Sequence, residues 1–252
     1  LERRVYADRA TFLGDPDYID VPIDQLLDSA YNQKRYDEIS FLKATPSVLV
    51  SSGKIPPSES PETTHISVVD ANGNAVAITT TLNSSFGNKV MVKGAGFFLN
   101  NEMDDFSSKP GSPNQFGLIG GEANAIAPHK RMLSSMTPTI VTYKDKLKMV
   151  VGTPGGSTII TSVYQTLLNV IDHGMGMQEA VNAKRVHHQW YPDEIRVETD
   201  ALTENVQNDL EKLGHQLRIT DKIGRMDCIL VLPDGRLEGG ADPRGDNTAL
   251  GY

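Results

Sequence analysis

Cysteine, aromatic side chains and long apolar runs are scarce in this sequence of 252 residues. The single cysteine, Cys228, excludes an internal disulfide, so cysteine usage does not assign a cellular compartment. The apolar stretch around it, residues 228–232, is far shorter than the roughly 20 residues of a membrane-spanning helix. Lysine and arginine number 24 against 32 acidic residues, and the net charge of −8 leaves no basic surface for nucleic acid or anionic membranes. These features predict a soluble globular protein with neither kind of partner.

The composition changes near residue 60, where we place a boundary. Upstream, Pro22 and Asp24 open a charged segment to about Leu42 that is typical of a helix. Residues 44–62 are rich in proline, serine and glycine, as in an exposed linker that is open to cleavage. We therefore expect two parts, residues 1–62 and residues 63–252. Because Leu1 reads as the middle of a helix, we also expect a segment upstream of it.

Downstream of the linker, the pattern predicts hairpins and two helices. The three predicted hairpins pair residues 65–70 with 75–82, 139–143 with 147–151, and 227–232 with 236–240. One helix is expected from a Ser157 cap to Gly174, and the other over 203–214. Hairpins interleaved with helices favour a layered α+β architecture.

Thr63 stands directly after the linker and before the first predicted strand. If cleavage exposed it, its own α-amino group, with a pKa of about 8, would serve as the general base for its hydroxyl. Nucleophile and base would then come from one residue. The alternative is that Thr63 is simply a good strand former.

Two further segments carry groups that suit a reaction. The diglycine Gly155-Gly156 leads into the helix at Ser157, and its backbone N–H groups could hold an oxyanion. A turn that only needs glycine is the alternative. Residues 100–106 hold three carboxylates and two amides, which suit an ammonium group, while their spacing does not match a calcium loop. Taken alone, these residues fit a solvated acidic turn better.

Other polar pairs are less informative. Ser134 and Ser135 could donate to a carboxylate, although serine pairs are common in loops. His187 and His188 are adjacent and have no cysteine or carboxylate at ligand spacing, so we expect structural histidines and no metal site.

Taken in order, these segments resemble the gamma-glutamyltranspeptidases, and the likeness runs through nearly the whole chain. Several ordered motifs together are highly specific. They are Tyr6-Ala7-Asp8-Arg9, Leu13-Gly14-Asp15-Pro16, Thr63-Thr64-His65, Asn100-Asn101-Glu102-Met103-Asp104-Asp105-Phe106, Leu133-Ser134-Ser135-Met136, Pro154-Gly155-Gly156-Ser157, His187-His188-Gln189-Trp190 and Asp242-Pro243-Arg244.

The resemblance implies a precursor that cuts itself between Glu62 and Thr63, as a zymogen does. Residues 1–62 would then be the tail of a large subunit and residues 63–252 the small catalytic subunit. It also implies a role for each matching residue. Thr63 is the nucleophile, Thr81 orients it, Gly155 and Gly156 form the oxyanion hole, Asn83, Ser134 and Ser135 take the substrate α-carboxylate, and Glu102 and Asp105 take its α-ammonium.

The fold implied is the four-layer αββα sandwich of the N-terminal nucleophile hydrolases. The implied substrates are glutathione or another γ-glutamyl donor, with water, amino acids or peptides as acceptors, and the implied partner is the large subunit of the same precursor. No cofactor or metal is expected. A periplasmic or secreted location is implied by the family alone, since the sequence has no signal-peptide pattern.

Some positions depart from the family. The large-subunit arginine that pairs with the substrate carboxylate has no counterpart in residues 1–62, and we expect it upstream. Phe116 replaces a lid tyrosine of many bacterial members and lacks its hydroxyl. Met132 replaces a proline, and Thr158 an arginine.

Two alternatives stay open at this point. One keeps the chemistry and changes the substrate, as in a cephalosporin acylase or a poly-γ-glutamate hydrolase. The other is an unprocessed, non-catalytic fragment that only binds amino acids. An internal Thr63 has no free amine, so catalysis depends on the cleavage.

Overall fold

The computed structural model describes residues 1–51 and 63–251, which divide into two compact units. The first unit comprises residues 1–51, 102–134 and 187–220, and the second comprises residues 63–101, 135–186 and 221–251. Most of the predicted linker, and with it the Glu62–Thr63 bond, lies outside the described residues.

The helices and strands follow one another along the chain in a mixed order. The helices are α1 (Glu2–Phe12), α2 (Ile23–Leu27), α3 (Ser29–Asp37), α4 (Thr158–Ile171), α5 (Met177–Asn182) and α6 (Glu204–Lys212). The strands are β1 (Thr63–Val69), β2 (Ala75–Thr81), β3 (Thr139–Tyr143), β4 (Lys146–Val151), β5 (Val186–His187), β6 (Ile195–Glu198), β7 (Leu217–Thr220), β8 (Asp227–Val231) and β9 (Leu237–Ala241). Of the helices described, none is long and apolar enough to cross a membrane.

The second unit is built on the three predicted hairpins, which are all confirmed. Strands β1 and β2 pair antiparallel from Thr63↔Thr81 to Val69↔Ala75. In the turn between them, the Asp70 carboxylate accepts the backbone amides of Asn72 and Asn74, both at 2.8 Å. Strands β3, β4, β8 and β9 form a second, four-stranded antiparallel sheet.

Helices and sheets of the second unit stack in layers. Met149 and Val151 on β4 pack with Ile159 and Val163 on α4 and with Met177 on α5, and all five are buried. The hairpin β1–β2 lies on the sheet as well, since the Ser67 hydroxyl donates to the Asp227 carbonyl at 2.8 Å. The core therefore lies between the helices α4 and α5 and the four-stranded sheet, and the hairpin β1–β2 packs on that sheet as a further layer of an α+β fold.

A cluster of buried charged side chains lies where β9 of the four-stranded sheet ends. Asp242 follows β9, accepts the Met226 amide at 2.8 Å and pairs with Arg185 at 2.9 Å and with Arg244 at 3.0 Å. Arg185 also donates to the Ile223 carbonyl at 2.8 Å. Because each buried charge has a partner of opposite sign and further hydrogen bonds, the burial is tolerated.

The first unit packs α1 against two later segments of the chain. The Gly121 amide donates to the Ala10 carbonyl at 2.9 Å, and the His188 backbone amide donates to the Glu2 carboxylate at 2.7 Å. Strands β6 and β7 pair in parallel from Ile195↔Leu217.

Ser47, inside the predicted linker, is buried, and its carbonyl accepts from the Trp190 indole at 3.1 Å. The start of the predicted linker is therefore held by a long-range contact and is not exposed throughout, contrary to the expectation from the sequence.

Two details of the helices differ from the prediction. The segment 22–42 is not one helix but α2 and α3, because Asp28 adopts an extended conformation and its carboxylate caps α3 by accepting the Tyr31 amide at 2.8 Å. Ser157 occupies the N-cap position of α4, as predicted, but its backbone is already helical and its side chain makes no capping hydrogen bond in the described structure. Thr158 instead donates its hydroxyl to the Gly155 carbonyl at 2.8 Å.

We expect Met149→Ala to lower the free energy of unfolding by about 2–5 kcal/mol, because a fully buried side chain leaves a cavity in the core. Urea unfolding monitored by circular dichroism measures the change. Met91→Ala is the matched control, since this side chain is 59% exposed and its truncation should cost under about 0.5 kcal/mol. Equal losses in the two variants would contradict the assignment of the core.

Candidate active site

Thr63 begins strand β1 directly opposite the last residue of β2, Thr81. The two hydroxyl oxygens lie 3.3 Å apart, within hydrogen-bonding distance. The backbone amide of Asn83 donates to the Thr81 hydroxyl oxygen at 2.8 Å. Because strand side chains alternate between faces, Thr63 shares its face with His65 and Ser67. The structure therefore brings the predicted nucleophile and the residue predicted to orient it into contact.

Asn83 follows β2 in a left-handed conformation, with φ of 75°, which asparagine tolerates better than most residues. Its side chain is buried and donates to the Asn101 carbonyl at 3.2 Å. Asn101 in turn accepts the Ser84 amide at 3.0 Å and donates to the Ser84 hydroxyl at 3.0 Å. Asn101 thus holds Asn83 and Ser84 in place. The sequence analysis did not single out this role, although Asn101 lies within residues 100–106.

The turn before α4 requires both of its glycines. Gly155 has φ of 145° and Gly156 has φ of 55°, a region where L-residues are strained. A Cβ on Gly155 would also lie 2.6 Å from the Thr158 hydroxyl. The two carbonyls accept the amides of Thr158 and Ile159, while no acceptor within the described chain takes the two glycine N–H groups. These N–H groups therefore have the capacity to bind an oxyanion.

The ring of His65 separates β1, the strand that begins with Thr63, from Gly152, which follows β4. It is buried, with Nδ1 2.7 Å from the Thr79 hydroxyl and Nε2 3.1 Å from the Ser67 hydroxyl. A Cβ on Gly152 would lie 2.1 Å from its Cε1. Burial lowers the pKa of His65 to about 4. At neutral pH the imidazole is therefore uncharged, and it serves as a spacer that sets the distance between the two segments.

Arg225, five positions after β7 ends and two before β8 begins, is a site residue that the sequence analysis missed. Its amide donates to the Thr153 hydroxyl at 2.7 Å, and its guanidinium donates to the Thr63 carbonyl at 3.4 Å. It therefore connects the start of β1 with the turn that contains Gly155. No local motif marks this arginine in the sequence, because both partners are far away along the chain.

The predicted ammonium-binding residues lie in the first unit, on a short 3-10 helix, Glu102–Asp105. Burial raises the pKa of Asp105 to about 7, although the Arg9 guanidinium opposes the shift. Burial also raises the pKa of Glu102. Asp104 differs from both, since its carboxylate accepts the Gln115 amide at 2.8 Å. Burial thus disfavours the charge on Glu102 and on Asp105, and a cation would relieve that cost.

The other positions named from the sequence are Ser134, Ser135 and Phe116. Ser134 is exposed and ends the first unit, and Ser135 is partly buried and belongs to the second. Before them, the Leu133 amide donates to the Asn124 side-chain oxygen at 2.9 Å, which anchors this loop. Phe116 is buried in the first unit, and its carbonyl accepts from Gln189 at 2.8 Å.

His187 and His188 have structural partners, as expected. His187 is buried, with Nε2 2.9 Å from Gln189 Oε1, and burial lowers its pKa to about 3. His188 Nε2 lies 3.0 Å from an Arg3 nitrogen and 3.3 Å from the Asp193 carboxylate. Across residues 1–51 and 63–251, no group of three histidine, cysteine or acidic side chains is placed to hold a metal ion.

Comparison with known proteins adds three findings. The family model described as Gamma-glutamyltranspeptidase matches residues 1–252. The glutathione hydrolase proenzyme of Escherichia coli is 49% identical over 252 residues, which are 100% of this chain and 43% of that protein. The Acylase ACY 1 proenzyme of Pseudomonas sp. V22 is 36% identical over 97% of this chain and 41% of its own length. The chain therefore spans less than half the length of these curated relatives.

Among solved structures, a mutant gamma-glutamyltranspeptidase of Helicobacter pylori is 52% identical, with a TM-score of 0.70. The match covers 72% of this chain and 100% of that one. The predicted α+β fold of the N-terminal nucleophile hydrolase type is thereby confirmed.

Asp105→Asn should stabilise the protein at pH 8 by about 2–4 kcal/mol. The raised pKa means that folded Asp105 keeps its proton between about pH 4 and 7, where the unfolded chain has lost it, so wild-type stability falls as the pH rises through this window. Urea unfolding at pH 4, 6 and 8 tests this. The gain should disappear near pH 4, and the exposed Asp24→Asn variant is the control. A gain that is independent of pH would refute the explanation.

Gly152→Ala should displace the His65 ring, lower the thermal unfolding temperature and abolish the alignment of Thr63 with the glycine turn. Differential scanning calorimetry gives the stability change, and intact mass spectrometry reports any chain cleavage before Thr63. Gly251→Ala is the matched control, because a Cβ there meets nothing within 4 Å. Normal stability and cleavage in Gly152→Ala would show that the ring is not a spacer.

Proposed function

Because this chain belongs to the gamma-glutamyltranspeptidase family, we propose that it is the C-terminal part of a self-cleaving glutathione hydrolase and γ-glutamyltransferase. Thr63 carries the reaction. The observation behind this proposal is the position of its hydroxyl, 3.3 Å from that of Thr81 at the open end of the hairpin. Arg225 contacts the Thr63 carbonyl through its guanidinium and the Thr153 hydroxyl, two residues before Gly155, through its backbone amide.

Self-cleavage of the Glu62–Thr63 bond is the first step of the proposal. It would divide the chain into residues 1–62, the tail of the large subunit, and residues 63–252, the small catalytic subunit. In support, the solved Helicobacter pylori chain is matched over its full length by 72% of this chain, close to the share that residues 63–252 make up. The cleavage gives Thr63 the free α-amine that serves as its base.

In the proposed reaction, the Thr63 amine takes the proton of its own hydroxyl as the oxygen attacks the γ-carbonyl carbon of the donor. The carbonyl oxygen becomes negatively charged and is held by the N–H groups of Gly155 and Gly156. The C–N bond then breaks, and the leaving amine takes the proton. A γ-glutamyl ester on Thr63 remains, and Thr81 keeps that oxygen oriented.

Water or the amine of an acceptor resolves the ester in a second step. The incoming atom bonds to the carbonyl carbon, the ester C–O bond breaks, and the proton returns to Thr63. A two-step displacement of this kind gives ping-pong kinetics. Neither step routes an electron or a group through a cofactor or a metal.

Five residues are assigned to the glutamyl head group, each on its own grounds. Glu102 and Asp105 bind the α-ammonium, which is supported by the raised pKa values that a cation would lower. Asn83, Ser134 and Ser135 bind the α-carboxylate as hydrogen-bond donors. The upstream part of the precursor supplies the large subunit and an arginine for the same carboxylate. By family, we propose a periplasmic or secreted location.

A cephalosporin-type acylase is the second candidate, since an acylase proenzyme is 36% identical to this chain. The glutathione hydrolase proenzyme is closer at 49%. Two partly buried carboxyl groups with raised pKa values favour a donor with a free α-ammonium, as in glutathione or poly-γ-glutamate, over an acyl group without one. Comparing turnover of γ-glutamyl-p-nitroanilide with that of a cephalosporin bearing a glutaryl side chain separates the two candidates.

Thr63→Ala should abolish both self-cleavage and turnover, because it removes the attacking oxygen and leaves the strand intact. Intact mass spectrometry with N-terminal sequencing of the full-length precursor is the measurement, and wild-type protein should yield a fragment that begins Thr-Thr-His-Ile. Thr142→Ala, at an exposed strand position, is the control and should cleave normally. A processed and active Thr63→Ala protein would rule out the mechanism, and a single intact wild-type chain would favour a binding fragment.

A further inference from the structure

A cavity of about 410 Å³ opens beside Thr63 within the second unit. Its wall includes the hydroxyl-bearing residues Thr63, Thr64, Thr80 and Ser85, and the apolar ring of Phe86. The wall is thus rich in neutral hydrogen-bonding groups and lies next to the proposed nucleophile.

Arg225 is the one charged residue that lines this cavity in the described structure. Its guanidinium contacts two oxygen-bearing groups. One is the Thr63 carbonyl at 3.4 Å, and the other is the Asp246 carboxylate at 3.7 Å, which is fully exposed to solvent. An exposed ion pair at that distance contributes little, and a guanidinium has five N–H donors. Arg225 therefore retains donors for an anion in the cavity.

The chemistry of this wall suits a carboxylate. A guanidinium matches the two oxygens of a carboxylate, and nearby hydroxyls add further donors. None of the residues assigned to the donor's head group, Asn83, Glu102, Asp105, Ser134 and Ser135, lines the cavity. A carboxylate here would therefore belong to the other partner of the reaction. Because the anchoring carbonyl and the attacking hydroxyl belong to the same residue, that carboxylate would lie close to the ester.

We propose that this cavity is the acceptor subsite and that Arg225 binds the α-carboxylate of the incoming amino acid or peptide. In the first half of the reaction, the same contact holds the carboxylate of the leaving peptide. The inference rests on the proposed function and specifies its second substrate. Arg225 takes no part in bond making. The acceptor amine bonds to the ester carbonyl carbon, the C–O bond to Thr63 breaks, and the amine proton passes through the Thr63 α-amine to its oxygen.

The test uses γ-glutamyl-p-nitroanilide as donor, because its leaving group has no carboxylate. Transfer to glycylglycine and to glycylglycinamide is measured with the processed enzyme, and the ratio of the two kcat/KM values for the acceptor gives the carboxylate preference. Wild type should prefer glycylglycine. Arg225→Gln should reduce this preference at least tenfold, as expected for the loss of a hydrogen bond to a charged group. Arg225→Lys should restore part of it, since the charge remains.

Arg218→Gln is the matched control, an exposed arginine of the first unit that pairs with Glu194, and it should keep the wild-type ratio. Asp246→Asn gives a second test at a fully exposed position and should raise the preference about twofold, because the competing carboxylate is removed. If Arg225→Gln fails to fold, an unchanged preference in Asp246→Asn overturns the inference.

Two other results would overturn it. One is a wild-type enzyme that uses both acceptors equally, and the other is an Arg225→Gln enzyme with the wild-type ratio. Both outcomes leave the proposed function intact, since transfer still occurs. Absence of self-cleavage and of γ-glutamyl-p-nitroanilide turnover in wild type would instead contradict the proposed function.

Discussion

The packing of the His65 ring against the Gly152 backbone is the constraint on which the proposed catalytic geometry depends. The ring is buried between the hairpin β1–β2 and strand β4, and its nitrogens lie near two hydroxyls of the hairpin. Any side chain at position 152 would occupy the same space. Since Gly152 directly precedes the Thr153–Gly156 turn, the contact sets the start of that turn against the strand that begins with Thr63. Close packing transmits such a constraint because interiors have little free volume.

Charge is distributed unevenly around the proposed chemistry. Near Thr63, the groups are hydroxyls, backbone amides and an uncharged imidazole, with Arg225 as the cation. In the first unit, burial keeps the pKa of Asp105 near 7 even though Arg9 lies close enough to lower it. The protein therefore carries a carboxyl group that reduces its stability above neutral pH. Such a cost is typical of sites that bind or react, because the partner that offsets it is the ligand.

Arg225 is a single residue with two proposed roles. Through its backbone it positions Thr153, and through its guanidinium it contacts the Thr63 carbonyl. The remaining donors face a cavity of about 410 Å³, large enough for an amino acid or a small peptide. A residue that orders the nucleophile strand and also binds the acceptor would couple acceptor binding to the geometry of the ester.

Local pattern determined much of this protein. Alternation of β-branched residues and the Asn72-Gly73 turn set the first hairpin, and the conformations of Gly155 and Gly156 follow from a turn that only glycine makes without strain. Order along the chain was enough to identify the family. The boundary within 22–42 was missed, because the capping of α3 by Asp28 competes locally with helix propensity.

Tertiary structure alone decided which polar groups meet. The Thr63–Arg225 contact joins residues that are 162 positions apart in the chain. The burial of His65 depends on the packing of its ring against Gly152, which the sequence does not show. Sequence could not separate Asp104, whose carboxylate accepts the Gln115 amide, from Asp105, whose pKa is raised by burial. Backbone period and turn chemistry act between neighbours in the chain, whereas desolvation and hydrogen-bond partners are properties of position in the fold.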